Sequence, residues 1–290
     1  MTRPGVASPF SHSIQEASSL AGSVGGRSTP SDYGAMDLGL QGKRAIVVGG
    51  TRGIGRAIVD LLAAEGCSVG LCARTADQVA ATVAELEGRG GGVAAFGRVA
   101  DAGDPAALRS FVDEAAGALG GLDVYVANAS GALGMGNDEV AWRRGVEVDI
   151  LGTVAGCEAA VPHLEAAGGG AIVVVSTVSA VEIATPRRAY NSVKAALHPY
   201  VKALARDLGP VGVRANLVSP GQILFDGGIW DVARQNAPER FADALARNPL
   251  GRLGTPEEVA ATVVFAASPV ASFVSGANLV CDGARTQNVF

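Results

Sequence analysis

Residues 45–62 read AIVVGGTRGIGRAIVDLL, and this stretch decides the fold. An apolar run of strand-forming residues leads into a loop rich in glycine, and apolar residues then recur at spacings of three and four, which is typical of a helix. Glycine lets a backbone turn sharply and approach a pyrophosphate, while the N–H groups at the helix start receive its charge. The alternative is a purely structural turn, but a position directly after the first strand of a βα series favours a dinucleotide site. We expect that cofactor to contact Gly49, Thr51, Arg52, Gly53, Ile54 and Gly55.

Beyond this stretch, short apolar runs alternate with longer segments of helical periodicity, as in βαβ units. The runs are almost unbroken Val, Ile, Leu and Ala, which indicates strands that are buried on both faces of a parallel sheet. The pattern predicts an α/β fold, with a single Rossmann-type, doubly wound parallel sheet of seven strands and helices on both faces. The predicted strands are Ala45 to Val48, Ser68 to Ala73, Val93 to Phe96, Leu122 to Ala127, Ala171 to Ser176, Val213 to Leu217 and Asn278 to Cys281.

The chain divides into a tail and one domain. Residues 1–36 contain eight Ser, five Gly and three Pro but no apolar stretch like a signal-peptide core, so we expect a flexible tail. Met36 opens the segment before the first strand and is an alternative start of translation. Residues 37–290 contain no linker, and we expect them to form one domain that contains the dinucleotide site.

Composition excludes several classes of partner and site. The formal charge is −5, and no basic run is present that would mark a nucleic-acid or anionic-membrane surface, so we expect neither partner. The four cysteines form no CxxC pair and the three histidines are scattered, so we expect no metal site. Cys67 and Cys72 are five residues apart, a spacing that sends their side chains to opposite faces of a strand. We expect them to be reduced, buried thiols of a cytoplasmic protein.

The end of the second predicted strand indicates which dinucleotide is bound. A site for NAD needs a carboxylate here to hold the ribose 2′-hydroxyl, whereas the 2′-phosphate of NADP requires arginine. The strand ends at Ala73; Arg74 and Thr75 follow it without a carboxylate, and Arg52 in the glycine loop can approach the same phosphate. The alternative is that both arginines are ordinary solvated side chains. We favour NADP as the cofactor.

A tyrosine and a lysine lie one helical turn apart in a second motif. The predicted strand from Ala171 ends in the hydroxyl residues Ser176, Thr177 and Ser179, and Tyr190 and Lys194 follow on one face of a predicted helix. A tyrosine normally titrates near ~10, but a nearby ammonium and a cationic nicotinamide favour the phenolate. We therefore expect the pKa of Tyr190 to be lowered enough for proton transfer. The alternative is a surface lysine beside a core tyrosine.

Taken together, these motifs resemble the short-chain dehydrogenase/reductase family over about residues 40 to 284, and they are most similar to its NADP-dependent 3-oxoacyl carrier-protein reductase-like members. The resemblance implies hydride transfer between NADP(H) and a ketone or secondary alcohol. Tyr190 would be the acid/base, Lys194 would hold the nicotinamide ribose and lower the pKa of Tyr190, and Thr177 would take the place of the family's catalytic serine. It also implies cofactor contacts by Asp101, Ala102, Asn128, Ala129, Ser130, Tyr190, Lys194, Pro220, Gly221 and Ile223.

The chain departs from the family's pattern at four places. Val48 stands where the family has the threonine that braces the glycine loop, and Thr177 replaces serine, with Ser176 or Ser179 as alternative hydroxyls. Asp149 occupies the position of an asparagine whose main-chain carbonyl supports a water leading to the lysine. Its carboxylate would pair with Lys194 and weaken the lysine's effect on the tyrosine, unless the side chain points away. Ser130 ends the usual Asn-Asn-Ala-Gly segment, whose first asparagine is replaced by Ala127.

The segment after the sixth predicted strand resembles the family's substrate lid, at about residues 222–251, with a helix predicted from Asp231 to about Arg247. Phe225 and Trp230 would form an apolar substrate wall or would instead anchor the lid to the core, and Ser179 would be a further substrate contact. Gly227 and Gly228 would form a hinge.

Two other functions remain open at this point. One is a catalytically degenerate protein that binds NADP as a regulator or scaffold, and the other is a nucleotide-sugar epimerase or dehydratase, for which the C-terminal part is too short. The partner predicted for the enzyme is a small carbonyl or alcohol substrate. The resemblance also implies a homo-oligomer, either a tetramer or a dimer.

Overall fold

The predicted apolar runs all form strands, and these strands pair in parallel into one sheet. The computed structural model describes residues 37–90, 92–131, 136–182 and 188–288. The predicted tail, residues 1–36, therefore lies outside the described residues. The strands are β1 Arg44–Val48, β2 Ser68–Ala73, β3 Ala95–Val99, β4 Val124–Ala127, β5 Gly170–Val175, β6 Val213–Pro220 and β7 Asn278–Cys281.

The order of the strands across the sheet is β3-β2-β1-β4-β5-β6-β7, so the chain winds outward from β1 in one direction and from β4 in the other. This reversal creates a crevice beyond the carboxyl ends of β1 and β4, where open parallel sheets bind their ligands. The predicted doubly wound α/β fold is confirmed.

Helices cover both faces of the sheet. Alternate residues of a strand point to opposite faces, so Ile46, Tyr125 and Ile172 belong to one core, whereas Val47 and Val126 belong to the other. This double burial explains why the strands carry unbroken apolar sequences. The helices are α1 Gly53–Ala64, α2 Ala76–Gly88, α3 Pro105–Leu119, α4 Glu139–Gly145, α5 Thr153–Ala166, α6 Ala189–Leu208, α7 Ile229–Asn236, α8 Pro238–Ala246 and α9 Pro256–Ala267.

A π-helical segment, Val146–Gly152, joins α4 to α5 without a break. Short π-helical insertions within α-helices frequently occur at functional sites. The segment carries Asp149, whose side chain is fully buried.

Several predicted elements have different bounds in the structure: β4 begins at Val124 rather than Leu122, and β6 continues to Pro220 rather than Leu217. The third strand begins at Ala95 rather than Val93 and continues to Val99. Pairing with β2 sets these bounds, because Val69 of β2 pairs with Ala95 of β3. Since β3 is an edge strand, it includes polar residues that the apolar run did not suggest. The predicted lid helix is broken at Ala237 into α7 and α8, because a residue before proline disfavours the helical conformation.

The cysteines agree with the expected chemistry. Cys67 and Cys72 are free and buried in the two opposite cores, and burial raises the pKa of each thiol to about 12. Both thiols are therefore protonated at neutral pH. Within the described ranges, no helix is long and apolar enough to cross a membrane.

Candidate active site

A cleft of about 660 Å³ lies at the carboxyl ends of the strands. It brings together residues from the glycine loop, the ends of β2, β4, β5 and β6, and the start of α6. Two of the predicted site residues, Gly53 and Asp149, do not line it. The others do: Gly49, Thr51, Arg52, Ile54, Gly55, Arg74, Thr75, Asp101, Ala102, Asn128, Ala129, Ser130, Thr177, Ser179, Tyr190, Lys194, Pro220, Gly221, Ile223, Phe225 and Trp230.

The glycine loop forms a cradle that side chains would fill. Gly49 and Gly53 have φ angles of 78° and 53°, a region that other residues rarely adopt. A Cβ atom on Gly55 would collide with the carbonyl oxygen of Gly49 and the amide of Asn128. Arg52 is the N-cap of α1 and its side chain caps no N–H group. The first N–H donors of α1 are therefore open to an anion, as a pyrophosphate requires.

Asn128 braces this loop. Its Nδ2 atom donates to the carbonyl oxygen of Gly49 over 3.1 Å. The N–H groups of Gly49 and Gly50 donate to the carbonyl oxygen of Cys72 in β2. These bonds hold the loop although Val48 lacks the hydroxyl that the family uses for this purpose.

The cation-rich end of the cleft has the composition that a 2′-phosphate needs. Arg74 and Thr75 follow β2 and are exposed, and no acidic residue stands between Ala73 and Ala76. Arg52 is held toward the lid, where its Nη2 atom donates to the carbonyl oxygen of Gly227 over 3.2 Å. The guanidinium of Arg52 also lies over the ring of Phe225, 5.9 Å from its centroid.

Asp101, which the resemblance places near the adenine, is bound by the protein itself. Its carboxylate accepts hydrogen bonds from Arg144 at 2.6 and 2.8 Å and from the N–H of Gly103 at 2.9 Å. Burial alone would raise the pKa of Asp101, but these donors lower it below the ordinary value. The carboxylate is therefore charged and fixed at the side of the cleft.

Tyr190 and Thr177 both line the cleft, and the Thr177 hydroxyl acts on the Tyr190 hydroxyl by lowering its pKa. Thr177 is buried, lies two residues after the end of β5 and accepts a hydrogen bond from the N–H of Ser179 over 3.2 Å. The alternative hydroxyl Ser176 is engaged elsewhere, since it lies 3.2 Å from Nε2 of His198. Thr177 is thus the hydroxyl that accompanies Tyr190.

Lys194 is buried, and its ammonium forms an ion pair with Asp149. Its Nζ atom lies 3.0 Å from Oδ1 of Asp149 and donates to the carbonyl oxygen of Val175 over 3.0 Å. The other carboxylate oxygen of Asp149 accepts from the N–H of Gly131 over 2.9 Å. The structure therefore realises the pairing that the sequence left conditional, because the π-helical segment aims Asp149 at Lys194.

The expected lowering of the Tyr190 pKa is wrong as far as the protein's own groups are concerned. Because the Tyr190 hydroxyl is poorly hydrated, its pKa is raised well above the ordinary value. The Thr177 hydroxyl offsets part of this rise in pKa, and the negative charge of Asp149 increases it. The ammonium of Lys194 has no compensating effect, because Asp149 neutralises it at 3.0 Å. Tyr190 is a protonated phenol at neutral pH.

The lid closes one side of the cleft. Phe225 packs against the glycine loop, so that a Cβ atom on Gly53 would lie 2.7 Å from its ring. Trp230 lies deeper in the lid, and the guanidinium of Arg240 stacks over its ring at 5.2 Å from the centroid. Both aromatic side chains line the cleft, and Phe225 also anchors the lid to the glycine loop.

Gln222 and Arg285 are among the cleft residues that sequence reasoning missed. Both have a buried polar atom without a hydrogen-bond partner, Oε1 of Gln222 and Nε of Arg285. Gln222 directly follows Pro220 and Gly221, which were predicted as cofactor contacts, so its position in the sequence could have identified it as a cleft residue. Arg285 lies in a polar segment near the end of the chain, where no pattern suggested an inward-pointing side chain.

Comparisons with known proteins agree with this geometry. The family model for enoyl-(acyl carrier protein) reductase matches residues 48–285. Isoepoxydon dehydrogenase of Penicillium expansum is 38% identical over 254 residues, which cover 86% of this chain and 96% of that protein.

Two solved structures are similar throughout the domain. A short-chain dehydrogenase from Burkholderia cenocepacia in complex with NADP is 34% identical, with a TM-score of 0.77, and the match covers 85% of this chain and 99% of that one. A 7α-hydroxysteroid dehydrogenase in complex with NADH and 7-oxo glycochenodeoxycholic acid is 31% identical, with a TM-score of 0.78 and coverages of 88% and 98%.

Proposed function

Because the chain belongs to the short-chain dehydrogenase/reductase family, whose members compared above are dehydrogenases, we propose that it transfers a hydride between NADP(H) and a ketone or secondary alcohol. The observation that carries the proposal is that the hydroxyls of Tyr190 and Thr177 and the ammonium of Lys194 line the same cleft as the glycine cradle. When bound, the nicotinamide of NADP(H) supplies or accepts the hydride.

The residues of the cradle fit a dinucleotide. The open N–H donors of α1 would hold the pyrophosphate, and the missing Cβ of Gly55 leaves the backbone accessible. Arg74 would bind the 2′-phosphate, and the absence of a carboxylate at the end of β2 favours NADP over NAD. The NADP complex of the Burkholderia relative supports this preference, whereas the NADH complex of the hydroxysteroid dehydrogenase shows that the fold accepts either dinucleotide.

The two hydroxyls would act on the substrate oxygen. Thr177 would orient the carbonyl, and Tyr190 would donate its proton to the oxygen as the hydride reaches the carbon. Lys194 donates one N–H to the carbonyl oxygen of Val175 and is ion-paired with Asp149, and a further N–H of its ammonium would bind a ribose hydroxyl. The raised pKa of Tyr190 keeps its proton in place at neutral pH, which suits reduction of a ketone better than oxidation of an alcohol.

The ion pair of Lys194 with Asp149 also favours the second candidate function, an NADP-binding regulator or scaffold without turnover. A neutralised ammonium activates Tyr190 less than a free one does. The two functions agree on the cofactor and differ only in the chemistry. Turnover therefore decides between them.

The test follows the absorbance of NADPH with a panel of cyclic and linear ketones. We expect oxidation of NADPH by the wild type and a loss of about a hundredfold or more in Tyr190→Phe, because the proton donor is removed. Tyr200→Phe is the matched control, since Tyr200 lies on the same helix, outside the cleft, with its hydroxyl 3.3 Å from Glu158. NADPH binding without turnover of any ketone would assign the protein to the regulators.

We further propose that the protein is a cytoplasmic homo-oligomer, either a tetramer or a dimer. Its buried cysteines are free thiols, as expected in a reducing compartment. Leu151 and Val146 are large apolar residues that remain 49% and 37% exposed beside α5, a surface that a second copy would cover. Light scattering coupled to gel filtration measures the mass, and a monomer at all concentrations would contradict the oligomer.

A further inference from the structure

Three residues that line the cleft hold a buried polar atom without a hydrogen-bond partner. In the part of the chain that the structure describes, these atoms are Oγ of Ser130, Oε1 of Gln222 and Nε of Arg285. A hydroxyl and an amide are neutral, whereas the guanidinium of Arg285 carries a full charge. An incompletely paired buried charge is the most costly of the three, so Arg285 has the greatest need of a partner.

Arg285 is deeply buried and weakly paired. Its side chain is 9% exposed, and its recorded contact among the described residues is with Oε2 of Glu182, 3.5 Å from Nη1. That distance is at the outer limit of a hydrogen bond. Because a guanidinium has five N–H donors and Glu182 takes only Nη1, the edge formed by Nε and Nη2 remains available.

The backbone is held in a costly conformation where it delivers this side chain. Ala284 has a φ angle of 62°, which is uncommon for a residue other than glycine. The Asp282 carboxylate stabilises the turn, because it accepts from the N–H of Ala284 at 2.9 Å and from the N–H and hydroxyl of Thr286 at 2.8 Å. Strain of this kind persists where the surrounding structure over-determines it, often at ligand sites.

The charge around Arg285 favours an anion. Arg188, Arg240 and Arg247 also line the cleft. Asp101 and Asp243 are the acidic residues among the described residues of the lining, and Asp243 is paired with Arg247 at 2.9 Å. A cleft with an excess of positive charge attracts anionic ligands and raises their local concentration.

We propose that Arg285 binds a carboxylate of the substrate through its Nε and Nη2 edge, so that the physiological substrate is a keto acid or the corresponding hydroxy acid. A planar guanidinium matches a carboxylate with two parallel hydrogen bonds, which fix orientation as well as affinity. Anchoring the acid at Arg285 leaves the carbonyl carbon of the same molecule to be oriented by Thr177 and Tyr190. This inference rests on the proposed function, because it assigns the substrate of the same cleft.

Binding tests the inference without turnover. Calorimetry on the protein saturated with NADP compares cyclohexanecarboxylate with its neutral analogue, cyclohexanecarboxamide. We expect the carboxylate to bind about tenfold to a hundredfold more tightly, because hydrogen bonds to charged groups are stronger than neutral ones. In Arg285→Met the acid should bind no better than the amide, and Arg285→Lys should recover part of the difference, because it restores the charge without the planar fork.

Arg143→Met is the matched control, since it removes an equal charge from a side chain that is 73% exposed and outside the cleft. It should keep the preference for the acid. Equal binding of acid and amide by the wild type, no measurable binding of the acid, or an undiminished preference in Arg285→Met would overturn the inference. If Arg285→Met does not fold, the wild-type comparison and Arg285→Lys still decide.

Turnover separates this inference from the proposed function. Rates of NADPH oxidation are compared for 4-oxocyclohexanecarboxylate and 4-oxocyclohexanecarboxamide. Reduction of both at equal kcat/KM would uphold the oxidoreductase and overturn the role of Arg285. Tight binding of the acid at Arg285, with no reduction of any ketone, would uphold the binding site and overturn the oxidoreductase.

Discussion

Replacement of Asp149 by asparagine tests the electrostatics of the site most directly. The carboxylate lies 3.0 Å from Nζ of Lys194, and the two side chains are 0% and 3% exposed. At that distance the Coulomb attraction is about 5 kcal/mol for an effective dielectric constant of ~20, and the desolvation of both charges offsets part of it. Removing one partner of a buried ion pair costs about 3–5 kcal/mol. Asparagine keeps the shape and a carbonyl oxygen, so we expect about 3 kcal/mol, or a Tm roughly 6–12 °C lower.

The same substitution should change the pH dependence of catalysis. The negative charge of Asp149 raises the pKa of Tyr190. Without that charge, and with the ammonium of Lys194 no longer neutralised, the pKa of Tyr190 falls and the phenolate forms at lower pH. Since the phenolate is the base in alcohol oxidation, the rising limb of kcat/KM for oxidation should move to lower pH in Asp149→Asn.

The assay is the reduction of NADP by a secondary alcohol over a range of pH, with thermal melting by circular dichroism in parallel. Asp123→Asn is the control. Asp123 is also buried and ion-paired, with Arg44 at 2.7 Å and Lys43 at 3.2 Å, but it directly precedes β4 and so lies at the amino ends of the strands, opposite to the cleft. Asp123→Asn should lower the Tm and leave the pH profile unchanged. A profile of Asp149→Asn that stays in place, or moves to higher pH, would refute the reasoning.

Three further variants test the cofactor cradle and the hydroxyl pair. Gly55→Ala places a Cβ against the carbonyl oxygen of Gly49, so we expect NADPH to bind at least about tenfold more weakly in a fluorescence titration. Arg74→Glu puts a carboxylate where the 2′-phosphate would lie, so kcat/KM with NADPH should fall by about a hundredfold relative to NADH, because like charges in contact cost several kcal/mol. Thr177→Ala removes the hydroxyl that would orient the substrate carbonyl beside Tyr190 and should lower kcat by about a hundredfold, whereas Thr177→Ser should stay within about threefold.

Each of these variants has an outcome that contradicts its premise. Unchanged NADPH affinity in Gly55→Ala would mean that the loop adapts and is not a close-fitting cradle. An unchanged ratio of the two cofactors in Arg74→Glu would remove Arg74 from the phosphate site. Equal rates for Thr177→Ala and the wild type would leave Tyr190 to act without a hydroxyl partner.

The features of the fold that local sequence determines were predictable. The strands were found because burial on both faces demands continuous apolar runs, and the glycine loop because positive φ angles at Gly49 and Gly53 require that residue. The third strand was displaced because β3 is an edge strand whose bounds depend on pairing with β2. The lid was predicted as one helix although Pro238 is visible in the sequence and marks the break, so this proline should have been read as a helix boundary.

The features of the site that depend on distant contacts were only partly predictable. The sequence showed that Asp149 was able to pair with Lys194, but the outcome depends on a π-helical segment that no periodicity indicates. Arg285 was missed for a similar reason. Its direction depends on the positive φ angle of Ala284 and on the hydrogen bonds of Asp282, neither of which follows from the residue types alone.

The two buried cations of the cleft differ in a way that separates structural from binding roles. Lys194 is 3% exposed in its side chain and is paired at 3.0 Å with a carboxylate that is itself fixed by Gly131. Arg285 is buried to a similar degree, yet its contact with Glu182 is 3.5 Å long and its Nε has no partner. Because a buried charge is tolerated only when it is paired, the charge of Lys194 is balanced within the fold, whereas that of Arg285 is balanced fully only when an anion enters the cleft. Binding of a carboxylate should therefore raise the Tm of the protein more than binding of the corresponding amide. This difference in Tm should vanish in Arg285→Met but persist in Asp149→Asn.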